Sequence, residues 1–210
     1  MHEGNSYTSK MAVPVGVDIL NEEFWVKTYD FNAQVESLRS IVEYVLGVTP
    51  HEYANVNDMA ADVKLNTGDY ALVQGYRASM DGGAALYLIT SAETDIKTAS
   101  GYAAFTDFQG FCRPEQFGAY GDGVTDDAQY FTKAIATGLK VLLSKKTYAI
   151  KTNIPLTASC VIEGLGWASN VSWQGPDSAM FTIGAGATHV HLKNFQASTP
   201  FNLAQMNTNR

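Results

Sequence analysis

Apolar positions in residues 31–46 recur with the spacing of one helix face. They alternate steps of four and three residues and comprise Phe31, Val35, Leu38, Val42 and Val45. This spacing is the seam of a coiled coil over about two heptads, and Gly47 and Pro50 end the helix. Because so short a helix cannot hold a coiled coil alone, two interpretations stay open. The helix packs around a symmetry axis, or it is a single amphipathic helix on its own domain.

The pattern changes on both sides of this helix. Residues 1–30 are apolar but broken by Pro14 and Gly16, which is typical of an arm that packs against a neighbouring subunit, a partner or its own domain. Residues 51–106 predict a small β unit. Its predicted elements are a short helix at 59–65, a strand at 69–76, a turn at 81–83 and a strand at 84–89.

From residue 140 onward, short apolar runs alternate with turns rich in glycine, proline and asparagine. The runs cover 140–143, 147–150, 159–164, 171–173, 179–183 and 189–192. Short strands with frequent turns favour a stacked solenoid, in which each turn buries its apolar side on its neighbours, over a β-sandwich.

The stretch 115–127 predicts a tight turn followed by the start of a helix at 126–137. Its three glycines permit backbone angles that other residues avoid. Thr125 is a candidate cap, and Asp126 and Asp127 place negative charge at the positive end of the helix. Such a helix would plug the open apolar end of the solenoid. Its apolar residues lie at helical spacing and are Ala128, Phe131, Ala134 and Ile135.

The Gly-Asp-Gly-Val-Thr-Asp-Asp segment at 121–127, with its helix and repeated short strands, resembles the start of the parallel β-helix of phage tailspikes and related pectate-lyase-like proteins. Residues 67–87 resemble the small β-domain that precedes the β-helix in many tailspikes. Residues 7–35 are similar to the virion-anchoring segments of tail fibres and tailspikes. The resemblance implies a mainly β fold with short helices. A trimerising helix and a small β-domain would precede the capped start of a right-handed parallel β-helix.

In terms of domains, the resemblance implies a virion-anchoring arm at 1–30, a trimeric helical neck at 31–50, a β spacer domain at 51–106, and the capping helix with the first β-helix turns at 107–210. The chain would form homotrimers through the heptad positions of the neck. It would attach the tailspike to another phage tail, head or baseplate protein, and would reside in the virion after assembly in the host cytoplasm. The expected anchoring residues are Val13, Val15, Ile19, Phe24 and Trp25.

Members of this family cleave bacterial surface polysaccharides and carry many more solenoid turns. Because this chain stops after the first turns without a cap, we expect host polysaccharide to be recognised by a further C-terminal portion. The alternative is that the chain itself is a glycan-degrading enzyme of the β-helix class, a polysaccharide lyase or a glycoside hydrolase. We predict no activity and no catalytic residue for these 210 residues. The acids after the capping helix, Glu163 and Asp177, are flanked by glycine turns, so the sequence does not fix the separation that glycoside hydrolysis requires.

The composition of the chain argues against some classes of binding partner. A net charge of −7 with no basic stripe argues against nucleic acid, and no apolar stretch approaches the length of about 18 residues that a membrane span needs. His189 and His191 share one face of a strand, but no further ligand lies near them in sequence, so we predict neither a metal nor a cofactor. The candidate sugar-binding aromatic residues of the solenoid are Tyr148, Trp167 and Trp173. They either belong to the core or form a platform that stacks on sugars.

Overall fold

The computed structural model describes residues 6–9, 25–29, 31–106, 109–176 and 179–199. The chain divides into two compact units. Unit 1 comprises Met1–Phe108, and unit 2 comprises Gln109–Arg210.

Unit 1 consists mainly of short strands with two helices in its described part. In chain order these are β1 (Ser6–Ser9), β2 (Trp25–Tyr29), α1 (Phe31–Leu46), β3 (His51–Tyr53), α2 (Val56–Ala61), β4 (Tyr70–Val73), β5 (Ala85–Thr90), β6 (Ile96–Thr98) and β7 (Gly101–Phe105). Strands β1 and β2 form an antiparallel pair. The other strands form a sheet in the order β3-β4-β5-β7-β6, in which β3 and β4 are parallel and the remaining pairs antiparallel.

This sheet has apolar residues packed on both faces, because successive side chains of a strand point to opposite sides. On one face, Met59 of α2 belongs to a core formed with residues of β4, β5 and β7. On the opposite face, Val35 and Leu38 of α1 pack with Leu72 of β4 and Leu86 of β5. The sheet is therefore held between elements on both of its sides.

The short helix of unit 1 lies earlier in the chain than the 59–65 predicted for it. It spans Val56–Ala61, and Asn55 caps it by accepting the backbone N–H groups of Asn57 and Asp58. The asparagine cap fixes the first turn of the helix. Leu65 is buried beyond the end of the helix, so the apolar signal at that position reflects core packing outside the helix.

Unit 2 has one α-helix and a succession of strands among its described residues. In chain order these elements are β8 (Phe111–Cys112), a 3-10 helix (Pro114–Phe117), β9 (Asp122–Asp126), α3 (Ala128–Ala136), β10 (Lys140–Leu142), β11 (Thr147–Ile150), β12 (Ile154–Leu156), β13 (Cys160–Trp173), β14 (Phe181–Ile183) and β15 (Val190–Ser198).

The strand pairs described in unit 2 are all parallel. The long strand β13 pairs with β10 through its first half, with β11 through its second half, and with β15 along much of its length. The resulting order is β8-β10-β13-β11-β9, with β15 added to β13. Val141 pairs with Ile162, which in turn pairs with Leu192, while Tyr148 pairs with Val171. Apolar residues of successive turns thus stack on one another in a curled parallel sheet.

The expectation of a mainly β chain with few helices is confirmed, but several strands of unit 2 differ from the predicted runs. Strand β9 occupies part of the predicted turn, and β15 continues to Ser198, beyond the run predicted at 189–192. The sequence pattern missed β12 because Pro155 stands at its centre. In the described residues β12 pairs only with β14, and an edge strand tolerates the missing proline N–H. Strand β13 continues through Gly164, where a turn was expected. A Cβ at Gly164 would lie 2.6 Å from the backbone oxygen of Asn194, so this glycine allows two neighbouring strands to approach closely.

Candidate functional site at the first solenoid turn

The segment that opens the solenoid, residues 118–127, consists of a turn followed by the short strand β9 and is folded around the side chain of Asp122. Its Oδ1 accepts the backbone N–H groups of Val124 at 2.8 Å and Thr125 at 2.7 Å, and its Oδ2 accepts the Thr125 hydroxyl at 2.7 Å. Burial disfavours the charged carboxylate, but these donors outweigh it and lower the pKa of Asp122. We call residues 118–127 the opening loop.

Asp126 connects the opening loop to the next turn of the solenoid. Its Oδ1 accepts the backbone N–H of Ala128 at 3.1 Å and that of Lys151 at 2.9 Å, and its Oδ2 accepts the hydroxyl of Thr152 at 2.7 Å. Burial opposes ionisation, yet the Lys151, Thr152 and Ala128 donors prevail and lower the pKa of Asp126. One carboxylate therefore holds the start of α3 against the end of β11.

Asp127 is fully buried and holds the opening loop from the other side. Its Oδ1 accepts the backbone N–H of Tyr120 at 2.7 Å, and its Oδ2 accepts that of Gly121 at 3.0 Å. Burial raises the pKa of Asp127 to about 6, although the two backbone donors act in the opposite direction. Its negative neighbours Asp122 and Glu115 raise the pKa further.

The predicted capping of the helix is only partly correct. Helix α3 spans Ala128–Ala136, and Asp127 occupies the N-cap position without making a side-chain cap hydrogen bond. Thr125 lies in β9, where its hydroxyl donates to Asp122. Asp126 does accept the N–H of Ala128 at the start of α3, but Asp127 directs both of its oxygens to backbone N–H groups of the opening loop.

A buried polar chain lies beneath the opening loop. The backbone N–H of Ser144 donates to the Tyr148 hydroxyl at 2.9 Å, and that hydroxyl donates to Oε1 of Glu115 at 2.7 Å. Lys146 Nζ lies 3.7 Å from the same Glu115 oxygen. Burial and the neighbouring Glu115 raise the pKa of Tyr148 well above its usual range. The ring of Phe131 from α3 meets the Tyr148 ring edge-on at 5.2 Å between centroids, so α3 packs on the interior of the first turns.

Comparison with solved structures identifies this architecture. The tailspike of Acinetobacter phage vB_ApiP_P1 superimposes with a TM-score of 0.57 and 15% identity over 72% of this chain and 30% of that chain. The tailspike of Acinetobacter phage vb_AbaP_AS12 gives 0.55 and 19%, over 70% and 31%. The enzymatically active domain of tailspike protein 2 of bacteriophage CBA120 gives 0.53 and 19%, over 79% and 25%. These likenesses show the fold.

Curated relatives come from bacteriophages as well. The pre-neck appendage proteins of Bacillus phages PZA and phi29 are each 42% identical to this chain over 78 residues, which are 37% of this chain and 8% of each relative. The predicted resemblance to the N-terminal portion of a phage tailspike is confirmed. The matched segment spans only a small part of these relatives. No protein-family model matches the chain.

The residues predicted to form the trimer seam lie in α1. Val35 and Leu38 are buried in unit 1 against β4 and β5, so the packing of these two side chains agrees with the amphipathic-helix interpretation. The seam formed by Phe31, Val42 and Val45 stays a prediction. Of the expected anchoring residues, Trp25 lies in β2. The others lie outside the described residues, and they are Val13, Val15, Ile19 and Phe24.

Of the acids that the sequence singled out in the solenoid, Glu163 is held by lysine and amide groups. Glu163 contacts Lys140 and Lys193, with Nζ atoms 3.4 Å from its Oε2, and accepts the Asn194 amide at 3.1 Å. Burial opposes ionisation of Glu163, but these partners outweigh it and lower its pKa. Asp177 lies outside the described residues. In the described ranges, no three His, Cys, Asp or Glu side chains are grouped as a metal ion would require.

The aromatic residues of unit 2 occupy different environments. Tyr148 is fully buried, so it cannot contribute a face to a sugar, whereas 86% of Trp167 is exposed. The sugar-stacking platform with Tyr148 as a member was therefore wrong, and the core interpretation of Tyr148 is correct. No helix among the described residues combines the length and apolarity needed to cross a membrane.

Sequence reasoning did not find the partners of the opening loop. Lys151 and Thr152 bind Asp126 from a position that lies one solenoid turn later. Glu115 gave no signal beyond its place before a glycine turn, yet it is buried and accepts the Tyr148 hydroxyl. The one available hint was the unusual density of aspartates in the opening loop.

Proposed function

We propose that this chain is the virion-attachment and trimerisation part of a phage tailspike. The observation that supports this proposal most directly is the architecture of unit 2. There a capped opening loop begins a parallel stacked sheet of the kind found in solved tailspikes. The identity with pre-neck appendage proteins supports a place on the phage tail. Host polysaccharide is then recognised by a further C-terminal portion, and the assembled protein resides in the virion after assembly in the host cytoplasm.

The chemistry of the opening loop supports a structural role for its carboxylates. The oxygens of Asp122, Asp126 and Asp127 accept hydrogen bonds from backbone or hydroxyl donors that hold the loop and the adjacent strand in place. A general acid or base must instead present its oxygen to a substrate. This part of unit 2 is therefore best explained as the closed end of a solenoid.

Attachment is assigned to the N-terminal arm, with Val13, Val15, Ile19, Phe24 and Trp25 as the expected contacts. The test is to assemble phage with the arm 1–30 deleted and to measure the amount of the appendage protein in purified virions. We expect the amount of incorporated appendage protein to fall at least about tenfold, because each loss of about 1.4 kcal/mol of binding free energy weakens binding tenfold. A Trp25→Ala variant should also reduce incorporation, and Trp167→Ala is the matched control because Trp167 is largely exposed in unit 2.

Undiminished incorporation after deletion of the arm would remove the anchoring proposal. If Trp25→Ala and Trp167→Ala reduced incorporation equally, the effect would not be specific to the arm. Circular dichroism of each purified variant distinguishes loss of attachment from loss of folding. The homotrimer is tested separately by light scattering, where a stable monomer across the accessible concentration range would contradict it.

The second candidate is a glycan-degrading enzyme of the β-helix class. It is favoured by the likeness of the chain to a tailspike domain that is described as enzymatically active. Against it, Glu163 is engaged by two lysines and an amide. Incubation of the 210-residue chain with host capsule or O-antigen, followed by assays for reducing ends and unsaturated uronates, tests this candidate. Formation of either product would establish it.

A further inference from the structure

We propose that Asp127 is a proton-binding group that couples the folding of the first solenoid turn to pH, so that mild acidification stabilises unit 2. Its side chain joins the opening loop to the start of α3 through the backbone N–H groups of Tyr120 and Gly121. Asp127 is fully buried, so a negative charge on it interacts with the other groups that join the opening loop to α3. The proposal does not depend on whether the chain attaches a tailspike to the virion.

The surroundings of Asp127 are rich in negative charge. Glu115 from the 3-10 helix is buried as well, and both Glu115 and Asp122 disfavour a second negative charge at Asp127. Lys146, from the turn before β11, lies 3.7 Å from Glu115 Oε1 and donates to the backbone oxygen of Tyr120 at 3.3 Å. The described residues provide no ion pair to Asp127. The remaining titratable groups around this junction are Asp126, Tyr130 and Tyr148.

A buried carboxylate among negative neighbours is more easily protonated than one in water. Burial raises the pKa of Asp127 from its ordinary value of 3.8 to about 6. The folded chain therefore takes up a proton in a pH range where the unfolded chain does not. By linkage, the folding equilibrium constant of unit 2 should increase about tenfold between about pH 7 and about pH 5. The gain should level off below the ordinary aspartate value of 3.8.

Other carboxylates of unit 2 act in a different pH range. The pKa values of Asp122, Asp126 and Glu163 are lowered, so their contribution is lost only below their ordinary values of 3.8 and 4.5. The other titratable groups are the same in the wild type and in the variants, so their contributions cancel when the two are compared. A comparison of variants with the wild type therefore isolates Asp127.

The experiment is urea unfolding of the full chain at about pH 7, 6 and 5. Phe in place of Trp25 and Trp167 leaves Trp173 of β13 as the fluorescent reporter of unit 2. The parent background should gain about tenfold in folding constant on acidification. Asp127→Asn should lose that gain, and Glu163→Gln, which removes a carboxylate of unit 2 that is held elsewhere by Lys140 and Lys193, should keep it.

A second variant keeps the test decisive if Asp127→Asn does not fold. Glu115→Gln removes a neighbouring negative charge and should move the proton-uptake transition to lower pH, because the charge of Glu115 helps to raise the pKa of Asp127. A pH-independent folding constant in the parent background between about pH 7 and 5 would overturn the proposal. So would an unchanged gain in Asp127→Asn, or an unchanged transition in Glu115→Gln.

Discussion

The hydroxyl of Tyr148 donates a 2.7 Å hydrogen bond to Oε1 of Glu115, and both side chains are buried. The two residues belong to β11 and to the 3-10 helix that precedes the opening loop. Their bond ties the closed end of the solenoid to its second turn. A charged acceptor in a buried site makes such a hydrogen bond stronger than a neutral one. The first turn therefore depends on a hydrogen bond between two buried polar side chains.

Removal of this hydroxyl should weaken unit 2. We expect Tyr148→Phe to lower the free energy of unfolding by about 1–3 kcal/mol, because Glu115 loses its donor and the N–H of Ser144 loses its acceptor. Urea unfolding with Trp173 as the reporter measures the change. The double variant with Glu115→Gln is the control. If the two effects simply add, the bond between the residues does not contribute in the way the structure indicates.

Asp126 should matter for both stability and its dependence on acid. Asp126→Asn should cost about 1–2 kcal/mol, because an amide cannot accept all the hydrogen bonds from Ala128, Lys151 and Thr152. The pKa of Asp126 is lowered from 3.8. The stabilisation is thus present above pH 3.8 and is lost as the pH falls through the folded-state value below it.

The measurement for Asp126 is urea unfolding at about pH 7 and about pH 3. The wild type should lose more stability on acidification than Asp126→Asn does. Thr152→Val is the companion variant, since it removes one donor to the same carboxylate without removing the charge. Equal acid sensitivity of the wild type and Asp126→Asn would contradict this assignment.

The two interpretations of α1 can be separated by paired substitutions. Leu38→Ala should destabilise unit 1 by about 2–5 kcal/mol through the cavity it leaves beside Leu72 and Leu86. Hydrogen exchange of peptides from β4 and β5 measures that loss. Val42→Asp places a charge at a predicted seam position and should lower the molar mass in light scattering if the helix trimerises.

The two variants also serve as controls for each other. Leu38→Ala tests packing within one chain, and its effect on exchange should not depend on protein concentration. A Val42→Asp variant with the same molar mass as the wild type would leave α1 as an amphipathic helix of its own unit. Unchanged exchange in Leu38→Ala would contradict the packing of α1 on the sheet.

Gly121 is predicted to be intolerant of a side chain. Its φ is +58°, and a Cβ there would lie 2.5 Å from Cδ of Lys146. Gly121→Ala should lower the free energy of unfolding of unit 2 by about 1–2 kcal/mol from the left-handed backbone alone. Gly138→Ala is the matched control, with a φ of +74° and no atom within 4 Å of the added Cβ. If Gly138→Ala costs as much as Gly121→Ala, the contact with Lys146 is not significant.

Local patterns predicted the kinds of element well where the neighbouring residues decide them. The spacing from Phe31 to Val45 predicted α1, which spans Phe31–Leu46. The apolar run at 147–150 matches β11 at Thr147–Ile150. The predicted strands were wrong where a contact with a residue distant in the chain decides the local structure. Pro155 hid an edge strand, and Gly164 interrupts no strand because its small size admits the backbone of Asn194.

The aspartates of the opening loop show the same limit at the candidate site. Their number and their place before a helix indicated charge at a helix start. Which atoms they bind follows from the stacking of turns, since Lys151 and Thr152 meet Asp126 only when β11 lies beside β9. The environment of Asp127 depends likewise on Glu115, which approaches it from the preceding 3-10 helix. No spacing in the sequence encodes these contacts.

The sequence by itself determined that the chain contains an amphipathic helix, short strands separated by turns, and a glycine- and aspartate-rich loop that begins a solenoid. Periodicity and turn chemistry carry that information because they act between residues close in the chain. Only the tertiary structure decided that Val35 and Leu38 pack on their own sheet, that Tyr148 is buried, and that Asp127 accepts the backbone N–H groups of Tyr120 and Gly121. These outcomes depend on the register in which distant strands stack, and burial, hydrogen bonding and pKa follow from that register.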